Sequence, residues 1–350
     1  MRLAYYISGH GLGHCSRSIE VMRALRAARP DAGIVVRTGA PQWIFDSAAP
    51  GGIAYHAGPV NNVDTGVVQH DSLSLDEEAT ARDAAAFDLT FPHRVDEEAR
   101  VLRQLQIDAV IADVPALALA AAHRAGVPGI VVANFTWDWI FGIYETFDRL
   151  APRAIQTLRD AYAKTSLALR LPLGGGFATM PRVREIPLIA RRSSRDRADT
   201  RRRLGVERDR LLVLASFSGF GVNLPLEALH RSAGFVLLAP ERDPPAGLRY
   251  EDLVAAADVV VSKPGYGIVS ECVANGTALL YTSRGRFLEY DVLVSEMPRV
   301  LRCRFISPAD LLAGRWTTAV HALLAQPRPE AAVPVNGAEV AAQLILDELD

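Results

Sequence analysis

Cysteine is scarce in this sequence. Cys15, Cys272 and Cys303 are the only three in 350 residues. That excludes a disulfide framework and a cysteine-based zinc site, and fits a reducing cytoplasm. Excess charge is missing too. A net charge of −2 gives no global attraction to nucleic acid or to an anionic membrane. Residues 1–15 lack the basic start and long apolar core of a signal peptide. The longest weakly charged stretch, residues 125–144, is interrupted by Pro128, Asn134 and Asp138, so no transmembrane segment is expected. There is no G-x-x-x-x-G-K-[ST] run, which excludes a P-loop kinase. The second apolar run ends in Arg37-Thr38-Gly39, where an NAD enzyme needs an acid, so a dinucleotide enzyme is excluded as well.

What is present begins at the N-terminus. Residues 3–8 form a short apolar run of strand type. They meet Gly9-His10-Gly11-Leu12-Gly13-His14, and a helical pattern then starts with Ile19, Met22 and Leu25 on one face. Strand, glycine turn and helix open a βαβ unit. Glycines let a ligand approach bare N–H groups, and the positive helix end suits an anion. The plainer reading is a tight turn whose histidines are incidental.

The same rhythm continues, with strands at 33–38, 53–57, 109–112, 129–133 and 168–171 and helices between them. A long helix is expected over 76–106, bent at Pro92, after an irregular polar segment at 58–74. Gly- and Pro-rich residues 172–187 resemble a linker. Seven arginines between Arg191 and Arg203 suggest a solvated helix, or else a phosphate site. Strands at 211–215, 235–239, 259–262 and 278–282 then restart the pattern. At 350 residues, two α/β domains with parallel sheets are expected.

The second half repeats the strand–turn–helix device. After the strand ending at Ser262 come Lys263-Pro264-Gly265-Tyr266-Gly267 and a helix carrying Ser270 and Glu271. A diphosphate suits the turn, and a carboxylate at Glu271 suits two ribose hydroxyls. Alternatively, Glu271 is simply an acid near a helix N-terminus.

These residues carry a specific resemblance. The stretches YYISGHGLGHCSRSIEV, NFTWDWI, IPLIARR, SKPGYGIVSE and NGAEVAAQLI resemble the glycosyltransferase-like N-terminal domain of plant L-arabinokinases. The chain is more distantly similar to GT-B glycosyltransferases of the lipid II N-acetylglucosaminyltransferase type. The kinase half of the plant proteins has no expected counterpart here.

The resemblance implies a GT-B fold with two Rossmann-like domains facing a cleft. Its boundaries would be 1–175 for the acceptor-side domain, 176–187 for the linker and 188–334 for the nucleotide-sugar domain. A C-terminal helix, 335–350, would cross back to the first domain.

The implied activity is transfer of a hexosyl or N-acetylhexosaminyl group to an acceptor hydroxyl. The donor would be a nucleotide-diphosphate sugar, UDP-linked, and the acceptor a small molecule or glycan. His14 would be the base and Asp113 its acidic partner. Donor contacts would come from Gly11, Gly13, Ser218, Gly219, Lys263, Gly265, Tyr266, Gly267, Ser270, Glu271, Glu289 and Asp291. His10, Trp137 and Asp138 would lie on the acceptor side. The loop 216–221 departs from the usual glycine-serine-rich form, and the second domain is short between Phe217 and Tyr250.

Direct displacement at the anomeric carbon needs a base, and helix N-termini with Lys263 can hold the leaving diphosphate. An inverting reaction with no metal and no cofactor is therefore expected. The rival readings are a non-catalytic nucleotide-sugar-binding or regulatory module, and a nucleotide-sugar epimerase on the same fold.

Overall fold

The computed structural model describes residues 1–48, 53–55, 63–71, 73–217, 222, 224–227, 229, 234–240, 244–245, 247–330 and 332–350. The chain divides into two compact units. The first contains residues 1–68, 76–189 and 334–350; the second contains 69–75 and 190–333.

Among the described residues, the main sheet of the first unit has seven strands: β1 (Arg2–Ile7), β2 (Gly33–Thr38), β3 (Ile53–Tyr55), β4 (Ala109–Asp113), β5 (Gly129–Phe135), β6 (Leu167–Gly175) and β7 (Val183–Glu185). Their order is β3-β2-β1-β4-β5-β6-β7, with every pairing parallel. β1 and β4 are almost wholly buried, so they read as continuous apolar runs, as strands covered on both faces do. The strand order reverses between β1 and β4. Ligands of doubly wound sheets bind at that point, outside the carboxyl ends of the strands.

Residues 176–187, expected as a linker, instead complete the first unit. Phe177 and Met180 are buried, and β7 adds parallel to β6. Glycine content suggested a linker, but the apolar residues between the glycines anchor the segment. The C-terminal helix Gly337–Leu349 also belongs to the first unit, as expected. Its apolar face packs on the Leu12–Ala28 helix. Ile189 bridges antiparallel to Asn336, and the Gly337 N–H donates to the Leu188 carbonyl at 3.0 Å. Gly337 lies so close to the Pro187 carbonyl that any side chain there would collide with it.

Among the described residues, the main sheet of the second unit has five parallel strands: β8 (Leu212–Ser216), β9 (Val236–Leu238), β10 (Val259–Ser262), β11 (Ala278–Tyr281) and β12 (Cys303–Phe305). Their order is β9-β8-β10-β11-β12. The reversal falls between β8 and β10, beside Ser216 and Ser262. Val213, Val259, Leu280 and Trp316 are central to its apolar core.

Candidate active site

In the first unit the glycine turn lies at the carboxyl end of β1. Gly11 is the extended N-cap of the Leu12–Ala28 helix and makes no side-chain cap bond. Gly13 and His14 therefore fall in the first turn, at the positive end of the helix.

His14 Nδ1 lies 2.9 Å from Oδ1 of Asp113, the last residue of β4. Asp113 is fully buried and collects further partners. Arg17 donates through Nε to Oδ2 at 2.7 Å and through Nη2 to Oδ1 at 2.5 Å. The Ser18 hydroxyl adds a bond to Oδ2 at 3.0 Å. Burial alone would raise the carboxyl pKa, but the Arg17 guanidinium and His14 outweigh it and bring Asp113 down to about 2. It is an anion at any working pH. The next residue, Val114, has φ of +80°. A β-branched residue there is strained, at a cost of roughly 1–3 kcal/mol, and such strain clusters at functional sites. Its carbonyl accepts a bond from the buried Tyr162 hydroxyl at 2.7 Å, which holds the bend.

His10 takes a different position. Its ring meets Trp137 edge-on, with centroids 5.5 Å apart. Gly66, at φ +63°, passes so near that an added Cβ would be 2.7 Å from His10 Nδ1. Trp137 is buried and donates through Nε1 to Asp64 at 2.8 Å. Asp64, absent from the sequence-based site, interacts electrostatically with His14, and burial raises its carboxyl pKa. An apolar cavity beside it is lined in part by Phe87, Phe91, Trp137 and Phe141. Asp138 is buried and lies 3.5 Å from Arg159 Nε.

In the second unit, Gly265 caps the Tyr266–Asn275 helix with no side-chain bond. Gly267 lies in the first turn, and Tyr266 is buried. Lys263 precedes the helix, and its Nζ donates to Gln69 Oε1 at 3.3 Å. Burial, then the nearby Arg284, pushes Lys263 down to about 8. Arg284 is itself buried, stacked over Phe287 at 4.1 Å and paired with Glu289 at 3.0 Å. Glu289 is thus buried against Arg284, whereas Asp291 is exposed. The Ser270 hydroxyl donates to the Gly267 carbonyl at 3.0 Å, within its own helix. Glu271 is buried and accepts from Arg191 Nε at 2.6 Å; Arg191 also covers the Tyr250 ring at 5.2 Å. Ser218 and Gly219 lie outside the described residues.

The stretches that carried the resemblance meet in these contacts. Arg17 of the first donates to Asn134 of NFTWDWI at 2.5 Å. Arg191 of IPLIARR holds Glu271 of SKPGYGIVSE. Ile189 of the same run pairs with Asn336, which opens the last stretch.

No family model matches the chain. Over 98% of its length it is 31% identical to the L-arabinokinase of Arabidopsis thaliana, and it spans 34% of that protein. Solved structures match it from end to end. The glycosyltransferase of kitacinnamycin superposes with a TM-score of 0.62 at 16% identity, covering 100% of this chain and 99% of that one. A UDP-glucosyltransferase from Polygonum tinctorium, capable of glucosylating indoxyl, gives 0.62 at 14% identity, covering 99% and 98%. The chain has the GT-B glycosyltransferase fold. Among the described residues of this GT-B chain, no helix is long and apolar enough to cross a membrane.

The site residues that sequence reasoning missed are Arg17, Asp64, Arg191 and Arg284. Arg17 had a readable signal: it lies three residues after His14 and so on the same helix face. Arg191 was counted with the solvated arginine run, from which its buried partner Glu271 separates it. Arg201 of that run is buried too, donating to the Ala256 carbonyl at 3.0 Å. The Arg197–Arg203 helix is otherwise largely solvated, as expected.

Proposed function

We propose that the chain is a glycosyltransferase that moves a sugar from a UDP-linked donor to an acceptor hydroxyl, with inversion and without a metal. The observation that carries this reading is the His14–Asp113 contact of 2.9 Å at the point where the first sheet reverses its strand order. There the Nε2 of a neutral imidazole takes the acceptor proton as the oxygen attacks the anomeric carbon, a contribution of about 10² to 10⁴ in rate. Attack from the face opposite the leaving diphosphate inverts that carbon. In the second unit, Lys263, Arg284 and the uncapped N-terminus of the Tyr266–Asn275 helix supply positive charge for the diphosphate. That is the task a divalent ion performs in other transferases.

The test is turnover of a panel of nucleotide sugars, followed by release of the nucleotide diphosphate. Slow release without acceptor, accelerated by a hydroxyl acceptor, is the expected result. Binding with no chemical change would make the protein a sugar-nucleotide sensor, and an epimerised donor would make it an epimerase.

Two binding predictions accompany this reading. Glu271→Ala removes the carboxylate proposed for the ribose hydroxyls. A charge-assisted hydrogen bond contributes roughly 1.5–3 kcal/mol, so UDP affinity should fall at least about tenfold. An unchanged affinity in calorimetric titration would assign Glu271 to Arg191 alone. The second prediction concerns pH. Lys263 is charged below its pKa of about 8 and loses its charge as pH rises through that value. UDP affinity should therefore decline between pH 7 and pH 9, and Lys263→Met should flatten that decline. An equal decline in the variant would remove Lys263 from the phosphate site.

A further inference from the structure

We propose that Arg17 is a positioning residue for this site: by pinning Asp113 it holds the proton of neutral His14 on Nδ1 and leaves Nε2 as the basic nitrogen. The argument is one of occupancy around a single carboxylate. Asp113 Oδ2 accepts from Arg17 Nε at 2.7 Å and from Ser18 Oγ at 3.0 Å. Oδ1 accepts from Arg17 Nη2 at 2.5 Å. A guanidinium fork engaging both oxygens fixes the carboxylate plane. Arg17 is itself fixed, because its Nη1 donates to Asn134 Oδ1 at 2.5 Å. The carboxylate keeps one acceptor direction on Oδ1, and His14 Nδ1 occupies it at 2.9 Å.

Arg17 Nη2 also lies 3.0 Å from His14 Nδ1, so two proton arrangements compete. In one, Nδ1–H donates to Asp113. In the other, Nδ1 accepts from Arg17 and the ring proton moves to Nε2, which would make His14 a hydrogen-bond donor and not a base. Nη2 carries two N–H groups and directs one to Oδ1 at 2.5 Å; for Nδ1 itself, the ionised carboxylate at 2.9 Å is a stronger partner than the second Nη2 proton at 3.0 Å. A bare Nδ1 would also set its lone pair against Oδ1. The first arrangement therefore prevails, and it depends on the fork keeping Oδ1 aimed at the ring. A lysine could supply the charge but not the two-oxygen geometry.

The kinetic arm of the test rests on the glycosyltransferase reading; the spectroscopic arm does not. In the ¹⁵N-labelled full chain, the His14 ring signals are assigned by their loss in His14→Asn. The wild type should show a protonated Nδ1 and an unprotonated Nε2. In Arg17→Met the unpinned carboxylate can turn Oδ1 away from the ring, so the pair should lose its single pattern and move toward a mixture of the two tautomers. Arg17→Lys should shift the same way, and it serves alone if the methionine variant does not fold. Turnover should fall on the order of 10²-fold in Arg17→Met, with donor KM changed by less than about twofold. A wild-type proton on Nε2, or an unshifted tautomer in the folded variants, would overturn the proposal. So would a loss confined to donor KM. If the wild type turns over no donor, the transferase reading falls and the nitrogen spectrum still decides the role of Arg17.

Discussion

His14→Ala is expected to lower turnover by about 10² or more while leaving donor affinity nearly intact. The imidazole is the proposed base, and the groups proposed to bind the donor, Lys263, Arg284 and Glu271, all lie in the second unit. Loss of His14 removes one contact from Asp113, but Arg17 and Ser18 still satisfy both carboxylate oxygens. The fold should therefore tolerate the change with a small drop in melting temperature. Asp113→Asn is a less clean probe. It leaves the buried Arg17 guanidinium without its counter-charge, a loss of about 3–5 kcal/mol when one partner of a buried pair is removed. Its kinetic defect would be mixed with instability. Melting temperature, UDP affinity and donor hydrolysis on the single His14 variant separate the cases. Full turnover in that variant would refute the mechanism and turn attention to His10.

Glu98→Ala should strongly destabilise the first unit. Glu98, on the Glu77–Gln104 helix, accepts from the Tyr6 hydroxyl at 2.6 Å and from Arg37 Nε at 2.9 Å. Arg37 Nη2 closes the fork on its other oxygen. Arg37, Glu98 and Tyr6 are all buried, with Glu98 and Tyr6 fully so. Removing the carboxylate strands a guanidinium and a hydroxyl in the core, at about 3–5 kcal/mol. Whole-protein stabilities are about 5–15 kcal/mol, so the urea midpoint should move markedly. The double variant Arg37→Met, Glu98→Leu removes both charges and should recover most of the loss. A Glu98→Ala midpoint within experimental error of wild type would show that water reaches the cluster.

Local pattern was legible where one stretch of chain decides it. β2 begins and ends where the sequence placed it, at Gly33 and Thr38. The helix carrying Pro92 runs to Gln104. Arg37 was used only as the missing acid of a dinucleotide site, yet it points into the core toward Glu98. Partners of that kind are hidden because they lie far apart in the chain: Arg17 is 96 residues from Asp113 and 117 from Asn134. Periodicity records that a face is buried but not which polar group waits there. The sequence marks 58–74 only as an irregular polar connection. Its Gln69–Leu75 part joins the second unit instead, where Gln69 meets Lys263. No local signal marks such a transfer, since it follows from packing alone.

The first unit is built from chain segments at both ends of the sequence, and this orders its assembly during synthesis. The apolar face of the Leu12–Ala28 helix is covered by Gly337–Leu349, which leaves the ribosome only after residues 190–333. Domains ordinarily fold in the order in which they emerge. Here the N-terminal sheet can form early, but its first helix stays uncovered until the second unit has been made. A nascent chain stalled near residue 330 would carry an exposed apolar stripe, a natural binding surface for a chaperone. The histidine turn at the head of that helix would take its final setting only after Gly337–Leu349 has emerged.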